Sequence, residues 1–513
     1  MTSTVLDPPV DPPVDPPVDA AERGRERRRW VAVLVVVAVV AFASRLVPVL
    51  RGGGLWGLTG YDGGVYYAAA AGLAHGRLPY VDFLLLHPPG ILLALAPFGL
   101  LGRVVGDPDA QAAARLAWMG LGALSALLVA LTLRGRGPAV ALVGGLLYAV
   151  WVPAIHVERT TALEALTGVL TMGAVLLLTR PAAEALGPRG AVVAGLLLGA
   201  SMATKIWGIA PLLVLAVWCA WAYGLRRAVQ LLAGAAAAAV VICLPFFVRA
   251  PVLMWDMVVG AQLGRRRVPL DWYTKAVDTA GLTYVQGLQA VLLVAVTAAV
   301  LLAVAVSWRS RVGQVATLLL LVGLALLAAS PAWAVDYASL VAAPIALLAA
   351  TATATVRRWW AGRRAGSFVP VVAVLALLAG YAAASAPETR FGERFPGRSL
   401  AAVVADLPGC VTGDDPAALV AADVLGRNIE RGCPLMVDLG GYSYYLQPGA
   451  SARTSRPDNA QWQQFVLEYE RSGTANVVVR FEDGGTTRAT RRTIDSWPVV
   501  GYAGRYPVRQ APR

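Results

Sequence analysis

Residues 59–90, TGYDGGVYYAAAAGLAHGRLPYVDFLLLHPPG, hold two aspartates, two histidines and four tyrosines. They follow directly on an apolar run, Trp30–Leu50, long enough to cross a bilayer. Gly60-Tyr61-Asp62-Gly63-Gly64 sets a carboxylate at a flexible turn before a helix-compatible stretch, Val65–His75. Near a helix N-terminus the dipole stabilises an ionised carboxylate. Asp62 then has two readings, a general base aimed at the membrane surface or a cap for its own helix. Tyr66, Tyr80, Asp82 and His87 share the stretch, as substrate contacts or as loop polar groups.

Four further clusters carry usable chemistry. His156-Val157-Glu158-Arg159 leads into Thr160-Thr161-Ala162-Leu163-Glu164, and Glu164 falls at the start of an apolar helix, where an acid is costly and usually functional. Alternatively, Arg159 neutralises one of these glutamates. Lys205, one of only two lysines with Lys275, sits between two apolar segments. It fits a phosphate contact or a snorkelling side chain. Arg265, Arg266 and Arg267 form a triple cation in the segment 250–285, suited to a phosphate or to lipid headgroups. Asp336-Tyr337 precedes a helix containing Pro344. The sequence shows no metal-binding spacing, and no phosphate-cradling or dinucleotide-binding glycine motif. A divalent-metal requirement stays open.

The elements that must position these groups are membrane helices. The chain has 513 residues, 57% hydrophobic and 15% charged, with a mean hydropathy of +0.61. About eleven spans are expected, at 30–50, 110–133, 138–154, 161–179, 190–204, 207–224, 228–249, 286–307, 313–329, 332–354 and 367–385. Residues 91–102 read as a helix at the outer interface. The net charge of +13 does not indicate nucleic acid, because the arginines cluster between spans as topology markers: 23–29, 134–136, 180–189, 226–227, 309–311 and 357–364. A cytoplasmic N-terminus puts all of these inside, and 51–109, 155–160, 250–285 and the C-terminal region outside. Composition fits a high-GC bacterial genome and a multi-pass plasma-membrane protein.

Residues 1–29 form a Pro- and Arg-rich tail, with DPPV repeating at 7–18, expected to be extended and disordered. Residues 30–386 form the membrane domain. Residues 387–513 are expected to be a small α/β domain, with strands at Cys410–Gly413, Leu435–Leu439 and Asn476–Phe481 and helices at Pro416–Leu425 and Asn459–Arg471. Cys410 and Cys433 form a disulfide there or remain thiols; spacing does not decide it. Gly440–Tyr445 offers aromatic surface for a sugar, or a plain turn and strand.

The pattern Asp62-x-x-x-Tyr66, Gly76-x-x-Pro79-Tyr80-x-Asp82-Phe83 and His87-Pro88-Pro89 resembles the first extracytoplasmic loop of the GT-C glycosyltransferase superfamily. It is closest to bacterial family 39, similar to protein O-mannosyltransferases and aminoarabinose transferases. The resemblance covers residues 30–355 as a pattern of spans, with motif identity confined to 59–90. It implies a mainly α, polytopic fold and inverting transfer of a sugar from a polyprenyl phosphate to a glycan, lipid or protein acceptor. It implies that Asp62 is the base, that Glu164 is a second acid, and that Lys205 lies near the lipid phosphate; Glu158 and Asp82 are further second-acid candidates by position alone. Arg159 and Arg265–Arg267 join Lys205 as phosphate-binding candidates, and Tyr337 matches a late-loop aromatic. Relatives often carry Asp-Glu where this chain has Asp62-Gly63, which argues against an acidic-pair or metal role at that spot. A lipid-linked-sugar transporter and a non-catalytic scaffold are the competing readings.

Overall fold

The computed structural model describes residues 20–58, 60–180, 186–265, 271–360, 369–386, 390–446, 454–481 and 485–512. The DPPV segment, Arg266 and Arg267 lie outside the described residues.

Ten helices build the first half: α1 (Ala20–Arg51), α2 (Tyr61–Ala74), α3 (Gly90–Val105), α4 (Asp107–Thr132), α5 (Pro138–Val150), α6 (Val152–Glu158), α7 (Leu163–Leu178), α8 (Pro188–Met202), α9 (Ile209–Tyr223) and α10 (Leu225–Phe247). The helix α1 starts earlier than the expected span. Its Arg/Glu run consists of good helix formers, with Glu22 favourably placed against the dipole in the first turn. Residues 20–29 are therefore helical rather than part of an extended tail.

Every expected span coincides with a helix, but the helices differ in length. Seven of the described helices are long and apolar enough to cross a bilayer. An eighth is broken: α5 and α6 bend by 62° at Trp151. Pro153 in the first turn of α6 has no N–H to continue the ladder. The expected spans at 161–179, 190–204 and 367–385 are shorter apolar helices, Leu163–Leu178, Pro188–Met202 and Val369–Ser385. The helix α3 matches the expected 91–102 segment. It buries Ile91, Leu92 and Leu95 and exposes Leu100 and Val104.

The C-terminal region is α/β with one four-stranded sheet: β1 (Val411–Gly413), β2 (Ala475–Val477), β3 (Val499–Ala503) and β4 (Tyr506–Arg509), in the order β1-β2-β4-β3. The β1/β2 pair is parallel, with Thr412 opposite Asn476, and the other pairs are antiparallel. The expected strand at Leu435–Leu439 is not one. That stretch crosses α2, where Leu435 meets Gly72, and it ends with Asp438 capping the helix Leu439–Tyr445. The strand expected at Asn476–Phe481 stops at Val477. Beyond it, the amides of Val479, Arg480 and Phe481 donate to the Asp414 carboxylate at 2.7, 2.8 and 2.6 Å. The expected helix Pro416–Leu425 breaks into Pro416–Ala421 and Leu425–Glu430 around Asp423, which has φ 56°. Cys410 and Cys433 are disulfide-bonded, tying the start of β1 to the turn after Glu430.

This region shares a core with the first loop. Tyr67, Ala68 and Ala71 of α2 pack with Leu400, Val404, Val411, Val477 and Val508. A methyl on Gly64 would come within 2.7 Å of the Ala417 side chain, so glycine there sets how closely α2 approaches. Asp107 accepts from Tyr67 at 3.0 Å and from the Gly426 amide at 2.9 Å, while its own amide donates to Asp423 at 2.8 Å. The loop 51–109 and the C-terminal domain thus pack against one another.

Candidate active site

Asp62 lies in the first turn of α2, as its Gly-flanked position predicts. Its side chain is exposed, yet enough protein surrounds it to thin the bulk water. That loss, followed by the charges of Asp438, Asp336 and Glu164, pushes its pKa up to about 7, against the opposing pull of Arg265. Tyr66, one helical turn on, is buried and feels the Asp62 charge. His87 meets Tyr66 edge-on, with ring centroids 5.8 Å apart. Burial, Arg265 and Lys205 hold the imidazole well below its usual pKa, so it is neutral, and its Nδ1 has no hydrogen-bond partner among the described residues.

Three cations approach this end of the bundle. Lys205 pairs with Glu164 and lies 4.5 Å from the ring centroids of both Trp207 and Tyr337. Arg265 sits over the Tyr444 ring at 5.2 Å, and its Nε has no acceptor among the described residues. Arg159 stacks on Phe391 at 3.7 Å and interacts with Tyr284; burial pulls its pKa down to about 10. Behind Lys205 and Glu164, a cavity of about 80 Å³ reaches Trp207, Gly323 and Pro344.

The expected residues divide into two groups. Asp62, Tyr66, His87, Glu164, Lys205, Arg265 and Tyr337 converge, each electrostatically coupled to others of the set. Glu158 lines the cavity behind Lys205 but is engaged by other partners. It accepts from Arg45 Nε at 2.9 Å and Nη2 at 2.5 Å, and from Tyr148 at 2.6 Å, so it braces α1 against α6. Asp82 is exposed and accepts from the Leu78 amide at 2.6 Å, closing its own turn. Tyr80 has φ 68° and is buried, donating to the His87 carbonyl at 2.8 Å. It shapes the loop that delivers His87.

The C-terminal domain contributes groups that loop-by-loop reading misses. Asp438 accepts from the Tyr61 hydroxyl at 3.1 Å, and Gly440 N–H donates to that hydroxyl at 2.9 Å. Tyr444 lies under both Arg265 and Arg456. The aromatic run 440–445 was the available signal, but it is a short helix rather than a strand. His156 Nδ1 lies 2.5 Å from Asp336, joining the 155–160 turn to the late loop. Among the described residues no three His, Cys, Asp or Glu side chains form a metal-binding cluster.

Solved structures with this architecture exist. ArnT from Cupriavidus metallidurans bound to undecaprenyl phosphate superposes with a TM-score of 0.60 at 17% identity, over 94% of this chain and 99% of that one. Its apo form gives 0.62, also at 17% identity, over 95% and 100%. The Archaeoglobus fulgidus oligosaccharyltransferase, tethered to an acceptor peptide, gives 0.57 at 16% identity, over 89% and 70%. This chain has the GT-C fold. No family model and no curated protein matches the sequence, so the likeness lies in the arrangement of helices. The apo ArnT structure covers 95% of this chain, more than residues 30–355 alone, so the likeness in fold extends into the C-terminal region.

Proposed function

We propose that the chain is a membrane glycosyltransferase that uses a polyprenyl-phosphate-linked sugar as donor and an extracytoplasmic glycan, lipid or protein as acceptor. The observation that carries this reading is the setting of Asp62: an exposed carboxylate, pushed up to about 7, with Arg265 and the Lys205–Glu164 pair in its field. A base of that pKa takes a proton near neutral pH without being fully protonated there.

In this mechanism an acceptor hydroxyl loses its proton to Asp62 as its oxygen attacks the anomeric carbon. The bond from that carbon to the phosphate oxygen breaks, and the polyprenyl phosphate leaves with the electron pair. Arg265 and Lys205 stabilise the charge that develops on the phosphate. With one base and no protein nucleophile, the anomeric carbon inverts. Tyr66, His87 and Tyr337 line the approach as sugar contacts. Positioning of the two substrates supplies much of the rate. ArnT, in a structure of the same fold, binds undecaprenyl phosphate, which supports a lipid-phosphate donor here.

The disulfide and the gathering of arginines at the opposite end both favour an extracytoplasmic site, since disulfides persist in oxidising compartments. The test is transfer: purified protein receives a panel of radiolabelled polyprenyl-phosphate sugars together with membrane extract. Label in product, abolished in Asp62→Asn, is the expected result. No transfer or hydrolysis of any donor, with the protein folded, rejects the reading.

A further inference from the structure

At the end of the bundle opposite Asp62 lies a second concentration of charge, which catalysis does not use. The helix α4 runs from Asp107, beside the C-terminal domain, to Thr132, and α7 runs from Leu163, next to Glu164, to Leu178, so their far ends mark this face. A cleft of about 1340 Å³ opens there, lined by Arg134, Arg136, Arg180, Arg311, Arg357 and Arg358. Glu26 is the only acid among the described lining residues.

Topology explains why arginines occupy these loops. It does not explain why six of them face one cleft, where like charges repel. Some are held by aromatic rings: Arg134 lies 5.9 Å from the Trp30 centroid and Arg311 lies 4.8 Å from that of Tyr223. Arg136 is half-buried and has no hydrogen-bond acceptor for its guanidinium among the described residues. Burial and the neighbouring Arg358 both lower its pKa. A half-buried cation beside a second cation calls for an anion. Beside the cleft, α1 continues from Trp30 into exposed Val31, Val35 and Val39, an apolar strip on which an acyl chain can lie.

We propose that this cleft binds the phosphate headgroup of an anionic phospholipid in the leaflet opposite the Asp62 site. Paired guanidiniums match phosphate geometry, and basic pockets between membrane helices on this side hold anionic headgroups. The proposal stands whether or not the chain is a glycosyltransferase, because it uses no residue of that site.

The test is native mass spectrometry of the full chain in detergent, titrated with phosphatidylglycerol or with phosphatidylcholine of the same acyl chains. Phosphatidylglycerol should be retained at least about tenfold more strongly, and Arg136→Ala and Arg358→Ala should each weaken it roughly fivefold. Arg136→Lys should keep most of the binding. Arg226→Ala serves as control, since Arg226 is exposed and outside the cleft lining. All variants are first matched to the parent in melting temperature and gel-filtration profile. Where Arg136→Ala fails that match, Arg180→Ala takes its place. Equal retention of the two lipids, or equal loss in Arg226→Ala, overturns the proposal. So does binding of inorganic phosphate or ATP as tightly as lipid, which would make this a soluble-anion site. Displacement of lipid by a peptide of residues 1–19, which carries Asp7, Asp11, Asp15 and Asp19 and no basic side chain, would instead assign the cleft to the chain's own acidic segment.

Discussion

The hydroxyl of Tyr61 donates to Asp438 at 3.1 Å and receives the Gly440 amide at 2.9 Å, so the residue beside the candidate base is bonded across 377 positions of sequence to the C-terminal domain. The same carboxylate caps the helix Leu439–Tyr445 by accepting from Gly441 at 2.6 Å. Burial and Asp438 hold the phenol well above its ordinary pKa, so it stays protonated and donating. Tyr61→Phe should cost about 1 kcal/mol of stability, the net worth of a hydrogen bond. Turnover should fall about tenfold, because Asp62 loses its anchored neighbour. A thermal melt read beside an initial-rate assay checks both. An unchanged rate with lowered stability would make the contact purely structural.

The Cys410–Cys433 bond joins positions 23 apart in sequence. The loop it closes corresponds to about 3 kcal/mol in the chain-entropy account. Reduction, or Cys433→Ser, should loosen β1 and the helix Leu425–Glu430, and with them the packing on α2. Dithiothreitol should therefore lower the melting temperature of the parent and leave Cys410→Ser/Cys433→Ser unchanged. Hydrogen exchange should locate the new mobility at residues 405–435 first.

The helical membrane architecture was legible because apolar runs in a bilayer have one viable backbone solution. Alternation of loops also placed Asp62, the 155–160 turn, Lys205 and Tyr337 at one end. Helix lengths were not legible. Breaking at Trp151 depends on Pro153 within a run that reads as continuous hydrophobicity. In the site, Glu158 and Glu164 are indistinguishable by spacing. Their partners, Arg45 and Lys205, separate a brace between α1 and α6 from an ion pair at the candidate site, and Arg45 lies 113 residues away in sequence. Asp438 was hidden for the same reason. Its role depends on docking of the C-terminal domain against α2, which no local pattern records.

Lys205 and Glu164 form a buried pair, each with about 8% of its side chain exposed. Removing one partner leaves the other charge desolvated, at a cost of about 3–5 kcal/mol. Lys205→Met and Glu164→Gln should each lower the melting temperature, Lys205→Met more, since the ammonium left by Glu164→Gln still faces the Trp207 and Tyr337 rings. The double variant should recover most of the stability. It should not recover activity, because the cation proposed to face the departing phosphate is gone. Recovery of both would reduce the pair to a structural bridge.

Asp62 links stability and activity through one titration. Its folded pKa of about 7 lies above the ordinary carboxylate value, so the folded chain binds the proton more tightly than the unfolded chain does. The stability this contributes is complete below pH of about 4, the unfolded value, and is lost as pH rises through 7. Asp62→Asn, neutral throughout, should match the parent in melting temperature at pH of about 3.5 and exceed it at pH 8. Activity runs the other way: the parent rate should rise with pH through about 7 as the base deprotonates, and Asp62→Asn should lose roughly 10²–10⁴-fold. A melt series and a pH–rate profile on the same preparations measure both limbs. A rate profile flat between pH 5 and 8, or an Asn variant no more stable at pH 8, would separate Asp62 from the role given to it.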